Sequence, residues 1–386
     1  MDFGNNWLSA ASSADGGCQI VGGQGHLMYS NDQGEAWTDV KPAGGTLPFC
    51  SISADGKKLA AVLENGYLHV SADSGANWTE CTERDPNKYW GGLAMTPNAE
   101  VLLAGGCPDF IYKSKDFGAT WNPLYPVDEE TGLYWKAIVC DSTGEKILAA
   151  AFKESIYQSL DGGATWKELD VGGGTILEWN GACSSADGKV LAVTARKDNL
   201  YISRNGGATW AAASPTGAAG DWYGVSCSAN GKVIAATNLN DKRFYISMDS
   251  GFTWKDQSAY AVKYTSPFVS ANGRWTGAGA SGGKYYFAEL VDSPFDVTIA
   301  MEGEGSMYPA TGQYWKKSGQ TTVLNAFPLD NGYYFSSWSV SGGAVVDEPF
   351  HQETSVTFSG DATVTANFAK ISSTASLTLA VTPDNS

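Results

Sequence analysis

SLDGGATW, residues Ser159 to Trp166, is the stretch that decides the fold, because variants of it return along the chain. They read SNDQGEAW from Ser30, SADSGANW from Ser71, SKDFGATW from Ser114, SRNGGATW from Ser203 and SMDSGFTW from Ser247. Ser, Asp or Asn, Gly and Trp hold their places while the residues between them vary. Asp suits a tight turn by accepting backbone N–H bonds, Gly takes the backbone where a side chain would clash, and Trp packs between neighbouring sheets. The acidic positions Asp32, Asp73, Asp116, Asp161, Asn205 and Asp249 stand 41 to 45 residues apart. A fixed period of that size marks a structural repeat.

Working outward from one copy gives the unit. From Trp179 to Trp210 the chain reads WNGACSS, ADGK, VLAVTA, RKDN, LYIS and RNGGAT, short apolar or alternating runs separated by turn residues. Each run reads as a strand, with a further strand starting at the Trp. The turn after the first strand supplies a second marker at Gly16, Gly56, Ala99, Gly144, Gly188, Gly231 and Gly273, which counts seven units. The last, from Tyr264, lacks the phrase, as a terminal repeat can. The pattern resembles the Asp-box, or BNR, repeat family, which includes sialidases, sortilin-type receptors, seven-bladed xyloglucan hydrolases and a photosystem assembly factor. The resemblance implies an all-β fold, a seven-bladed β-propeller over residues 1–292. It also implies structural roles for Asp32, Asp73, Asp116, Asp161, Asn205 and Asp249 on the outer part of the blades, away from the active face.

From Val297 the periodicity changes. Gly303 to Gly305, Ala326, Gly332-Tyr333-Tyr334-Phe335, Trp338 and the closing TVTANF at Phe368 resemble the small β-grasp-like bacterial repeat of internalin B-repeats. That resemblance implies a spacer or adhesive β-domain over residues 293–370, without catalytic residues. Residues 371–386 are Ser/Thr-rich and read as a linker or the opening of a further domain.

Composition narrows the function. The 46 Gly, 14 Trp and 18 Tyr beside 17% charged residues suit many short strands and tight turns. A net charge of -16 and a pI near 4.6 repel phosphate backbones and anionic surfaces, which excludes nucleic acid as a partner class. No stretch approaches the length of a membrane span, so no membrane insertion is expected. The seven cysteines form no CxxC pair, and four of them, Cys50, Cys140, Cys183 and Cys227, fall in the same strand of different repeats, where a thiol packs as a small apolar group. Both resembled families are common outside the cell, so an extracellular or cell-surface location is expected. Because Met1 to Asn5 lack the pattern of a signal peptide and the cysteines read as unpaired, the alternative is a component of a phage tail or contractile injection particle.

Nine residues before each turn marker stand Trp7, Leu47, Trp90, Trp135, Trp179, Trp222 and Tyr264. At the start of the inner strand these aromatics should ring one mouth of the central channel, either wedged between blades or presenting flat faces to a sugar or peptide. The loops between second and third strands carry Glu64, Asp109, Glu154, Asp198 and Asp241, so this mouth is expected to be acidic. No cofactor is implied, and no zinc-type cluster is present. Were the carboxylates to converge, calcium is the metal they would hold. The chain has five arginines and no FRIP-like motif, which argues against a sialidase. The expectation is a non-catalytic binding or scaffolding protein of a cell surface, secreted matrix or particle that engages a glycan or protein. The alternative is a glycoside hydrolase in which Glu178 and Asp221, on neighbouring blades, act as acid and base.

Overall fold

Turn residues punctuate the chain too often for a helix to propagate, and every regular element among the described residues is a β-strand. The computed structural model describes residues 7–42, 46–47, 49–63, 66–82, 89–258, 260–280, 282–290, 295–316, 321–329 and 332–371. The chain forms two compact units, Met1–Leu290 and Val291–Ser386. Of the linker read at residues 371–386, all but Ile371 lies outside the described residues.

The first unit repeats one antiparallel meander. In one copy, Trp135–Cys140, Ile147–Ala151, Ile156–Ser159 and Lys167–Leu169 pair in chain order. The second strand is buried along its whole length and rich in Ala, Leu and Ile, because it lies at the centre of its sheet with a neighbouring sheet on each face. Each inner strand packs against the inner strand of the next meander, and the circle is completed where Trp7–Ser12 meets Tyr264–Val269. The last meander has three strands, Tyr264–Val269, Trp275–Ala280 and Tyr285–Glu289. The unit is therefore a β-propeller.

Closure is secured by backbone hydrogen bonds between successive first turns. Ala14 N donates to Ala54 O (3.0 Å), Ala54 N to Pro97 O (2.8 Å), Ser142 N to Ala186 O (2.9 Å), Ala186 N to Ala229 O (2.7 Å) and Ala229 N to Ala271 O (2.8 Å). Asn272 N then returns to Ala14 O at 2.9 Å. The series lapses only at Pro97, whose nitrogen carries no hydrogen.

The recurring phrase forms the same turn in each copy. Ser159 Oγ donates to Asp161 Oδ1 (2.8 Å) and accepts from Gly163 N (2.8 Å), while Asp161 accepts from Thr165 N (2.8 Å) and from the Thr165 hydroxyl. Gly163 sits at φ 97°, and a Cβ there would lie 2.6 Å from Leu124 of the preceding meander. Trp166 closes the turn by donating from Nε1 to Gly163 O at 3.0 Å. The six phrase positions, Asn205 included, thus bind their own turns, and Gly162 N donating to Glu145 O (2.8 Å) ties the turn to the end of the sheet opposite the ring aromatics.

In the second unit Phe295–Glu302 runs parallel to the C-terminal part of Glu353–Lys370, and the long strand Tyr333–Val346 pairs antiparallel with it. Trp338, Phe358 and Phe368 sit in its core, and Trp338 Nε1 donates to His351 O at 2.8 Å.

The turn carboxylates give the fold an acid limit. Hydrogen bonds from Thr165 and Ser159 pull Asp161 down from 3.8 to about 2, and like bonds lower Asp32, Asp73 and Asp116. Because the folded-state pKa lies below the unfolded one, their stabilisation is complete above about pH 4 and is lost as pH falls towards 2. The melting temperature should drop across that window, and Asp161→Asn, which keeps an acceptor as Asn205 does, should make the drop shallower.

Candidate functional site

The expected ring exists, but it presents no faces. Trp7, Trp90, Trp135, Trp179, Trp222 and Tyr264 are between 0 and 8% exposed, and Leu47 is buried with them. Trp90, Trp135 and Trp179 are doubly attached. Indole Nε1 donates to a backbone carbonyl in the second-to-third-strand loop of the preceding meander, Trp90 to Gly66 (2.9 Å), Trp135 to Asp109 (2.9 Å), Trp179 to Glu154 (3.0 Å) and, across the closure, Trp7 to Gly283 (3.0 Å). The ring plane meanwhile takes the edge of a third-strand Tyr of its own meander, as in Trp135–Tyr157 and Trp179–Tyr201 at 5.9 and 6.0 Å between centroids. These aromatics are inter-blade staples and cannot stack on a ligand.

The acidic loop residues are likewise committed. Asp109 accepts from Tyr112 Oη (2.8 Å), Asp198 from Tyr201 Oη (2.6 Å) and Asp241 from Tyr245 Oη (2.8 Å), so each carboxylate orients a third-strand Tyr. Glu154 is exposed and contributes its backbone carbonyl, and Glu64 lies outside the described residues. Among the described residues no three His, Cys, Asp or Glu side chains converge as a metal site would require, so the carboxylates do not gather around a cation. Glu178 and Asp221 do not form a free pair either. Arg196 stands between them in the strand register, bonding Asp221 at 2.9 and 3.4 Å, and Lys153 lies 3.5 Å from Glu178. This pairing comes from the strand Leu191–Asp198, whose end is drawn onto Gly220 and Asp221 of the next meander and joins the two sheets. Trp222 Nε1 is left without a hydrogen-bond partner there.

What the inner strands do present is a set of β-bulges. The ladder register slips between Trp7 and Ser9, Trp135 and Ala137, Trp179 and Gly181, Trp222 and Gly224, and Thr265 and Pro267, and likewise opposite Gly105 and Gly106, where Trp90 is followed by Gly92. A bulge leaves one residue unpaired and re-aims its side chain. Those residues are Leu8, Gly91, Lys136, Asn180, Tyr223 and Ser266. All but Gly91 line a central cavity of about 430 Å³. Gly91 is excluded by space, since a Cβ there would lie 1.5 Å from Trp135 O.

The residues that line the cavity include no carboxylate. Lys136 is the only charged side chain among its lining residues, with its Nζ 5.8 Å from the Phe152 ring centroid, which Lys153 approaches to 5.3 Å. Asn180 Nδ2 donates to Tyr223 O (2.8 Å) and holds two bulges in register. Burial raises the Tyr223 phenol, and Arg196 nearby opposes the rise. Ser266 is 8% exposed at φ 27°, and its Oγ has no hydrogen-bond partner. Inner positions further along the strands, Ala10, Leu93, Ala182 and Val225, give the cavity apolar walls. The bulge residues were missed by sequence reasoning. Their signal is the position after each ring aromatic, where the repeats read Leu8, Gly91, Lys136, Asn180 and Tyr223, a different chemistry each time.

Residues 295–372 match the family model of the divergent InlB B-repeat domain, in line with the resemblance read in that segment. YCF48 from Cyanidioschyzon merolae is similar in structure, with a TM-score of 0.55 at 14% sequence identity over 73% of this chain and 94% of that one. A structure of YCF48 bound to D1 peptide is similar with a TM-score of 0.57 at 16% identity, over 75% of this chain and 94% of that one. At such identities the likeness establishes the β-propeller fold. No curated protein matches the chain.

The two sets of channel residues should separate cleanly on mutation. Trp179→Ala removes a staple and should destabilise the protein by about 3–5 kcal/mol. Lys136→Ala, which breaks no ladder or ion pair, should stay within about 0.5 kcal/mol of the parent. Urea unfolding followed by tryptophan fluorescence measures both.

Proposed function

We propose that the chain is a seven-bladed propeller of Asp-box type whose channel mouth holds a segment of a partner protein without catalysing a reaction. The observation that carries this reading is the ring of bulges. The fold commits its aromatics and carboxylates to its own joints, yet the bulges of five meanders aim side chains of different chemistry, Leu8, Lys136, Asn180, Tyr223 and Ser266, into a common cavity. A peptide suits that arrangement better than a glycan, because the flat aromatic faces on which a sugar would stack are buried. That YCF48, a protein of similar fold, is solved with a bound peptide supports the same reading. The B-repeat unit, which carries no catalytic function in the family it resembles, serves as a spacer or adhesive element. Hydrolysis is disfavoured because Asp221 is bonded to Arg196 and Glu178 faces Lys153.

Peptide display on the full-length protein tests the proposal, with a glycan array run in parallel. Enriched peptides should lose about tenfold or more in affinity with Tyr223→Ala or Leu8→Asp while the melting temperature holds. Peptides indifferent to every channel substitution would remove the channel from the function. Cleavage of an aryl glycoside that disappears in Asp221→Asn would restore the hydrolase reading.

A further inference from the structure

The cavity has a charge balance that selects among ligands. The protein carries a net charge of -16, yet among the residues that line its central cavity one is charged, Lys136. No carboxylate pairs with it among the described residues, whereas the neighbouring cations Lys153 and Arg196 already hold Glu178 and Asp221. In the same cavity Ser266 is nine-tenths buried, sits in a sparsely populated backbone region and has no partner for its hydroxyl. A buried unpaired hydroxyl costs about 1–3 kcal/mol, and a strained backbone adds a cost of similar size. Two such penalties at one residue lining a cavity mark a place where a missing group belongs.

We infer that the channel takes a single carboxylate carried on an apolar stem, with Lys136 as its charge partner and the Ser266 and Tyr223 hydroxyls as donors. The inference rests on the reading of the channel as a binding site. One uncommitted cation matches one negative charge, and a dianion such as a phosphate monoester would leave a charge unpaired in a partly desolvated site. The walls formed by Leu8, Leu93 and Val225 suit a hydrocarbon stem, and about 430 Å³ lies within the range of small-ligand cavities. The same chemistry is offered by a free aliphatic acid and by a glutamate side chain of a bound peptide.

Both sources can be tested on the full-length protein by isothermal titration and saturation-transfer NMR. Sodium hexanoate is compared with hexanamide, and acetyl-Leu-Glu-Leu-amide with its Gln counterpart. In at least one pair the acid should bind about tenfold more tightly than the amide, the difference expected of one charge-assisted contact. That preference should vanish in Lys136→Gln, and Lys136→Glu should favour hexylamine over hexanoate, with melting curves confirming that both variants fold. A preference shown by hexanoate alone assigns a free acid, and one shown by the Glu peptide assigns a chain segment. Equal binding of acid and amide, no binding of either acid, or a preference that survives Lys136→Gln overturns the inference. Displayed peptides that need the channel but not a carboxylate would leave the proposed function standing while this inference falls. Hexanoate binding without any channel-dependent peptide would do the reverse.

Discussion

The circle of hydrogen bonds from first turn to first turn is the constraint on which the rest of the propeller depends. A meander of short strands cannot bury both faces of its central strand alone, so each sheet requires a neighbour on either side, and the series must close. The bond from Asn272 N to Ala14 O completes that circle between residues far apart in sequence. It is a non-local contact, and it gains its full value only when the intervening sheets are in place. The lapse at Pro97 shows that the circle tolerates one missing bond, because packing on both sides of the gap holds the turns in place.

At the other end of the sheets the same closure is kept by side chains. The indoles of Trp7, Trp90, Trp135 and Trp179 reach back to the preceding loop, and carboxylates in such loops fix tyrosines on which indoles rest. Both ends are therefore joints. Between them, the inner strands could pair without interruption, yet all but Phe49–Ile52 slip register within two residues of the ring position. The join between the sheets at Arg196 and Asp221 departs most from this regularity, and it is there that Trp222 loses its acceptor.

The fold was legible because its determinants are local. The Ser-Asp-Gly-Trp phrase makes its bonds within its own turn, so each copy reports its geometry without reference to the rest of the chain. The position of the ring aromatics was legible for a related reason, since they lie a set distance from the turn glycines. Their burial was not, because it depends on packing against the neighbouring meander, and a Trp reads alike whether its faces meet that meander or water. That Asp109, Asp198 and Asp241 orient tyrosines was not legible, because the sequence shows their charge and not the hydroxyls they meet in space. Lys136 went unweighed because a bulge is a property of two strands in register, and one strand's sequence does not announce it.

The bulges also bear on how such a protein diversifies. A residue within a ladder answers to a cross-strand partner, and a residue in a turn answers to its φ. A bulged residue on the channel wall answers to neither, unless, like Gly91, it is pressed against a neighbouring backbone. Leu8, Lys136 and Tyr223 are positions where substitution is largely uncoupled from foldability, whereas Asn180 bonds the neighbouring bulge. The ring behaves as a panel of independent settings around one opening, so drift or selection can rewrite what the opening accepts while the joints above and below stay untouched.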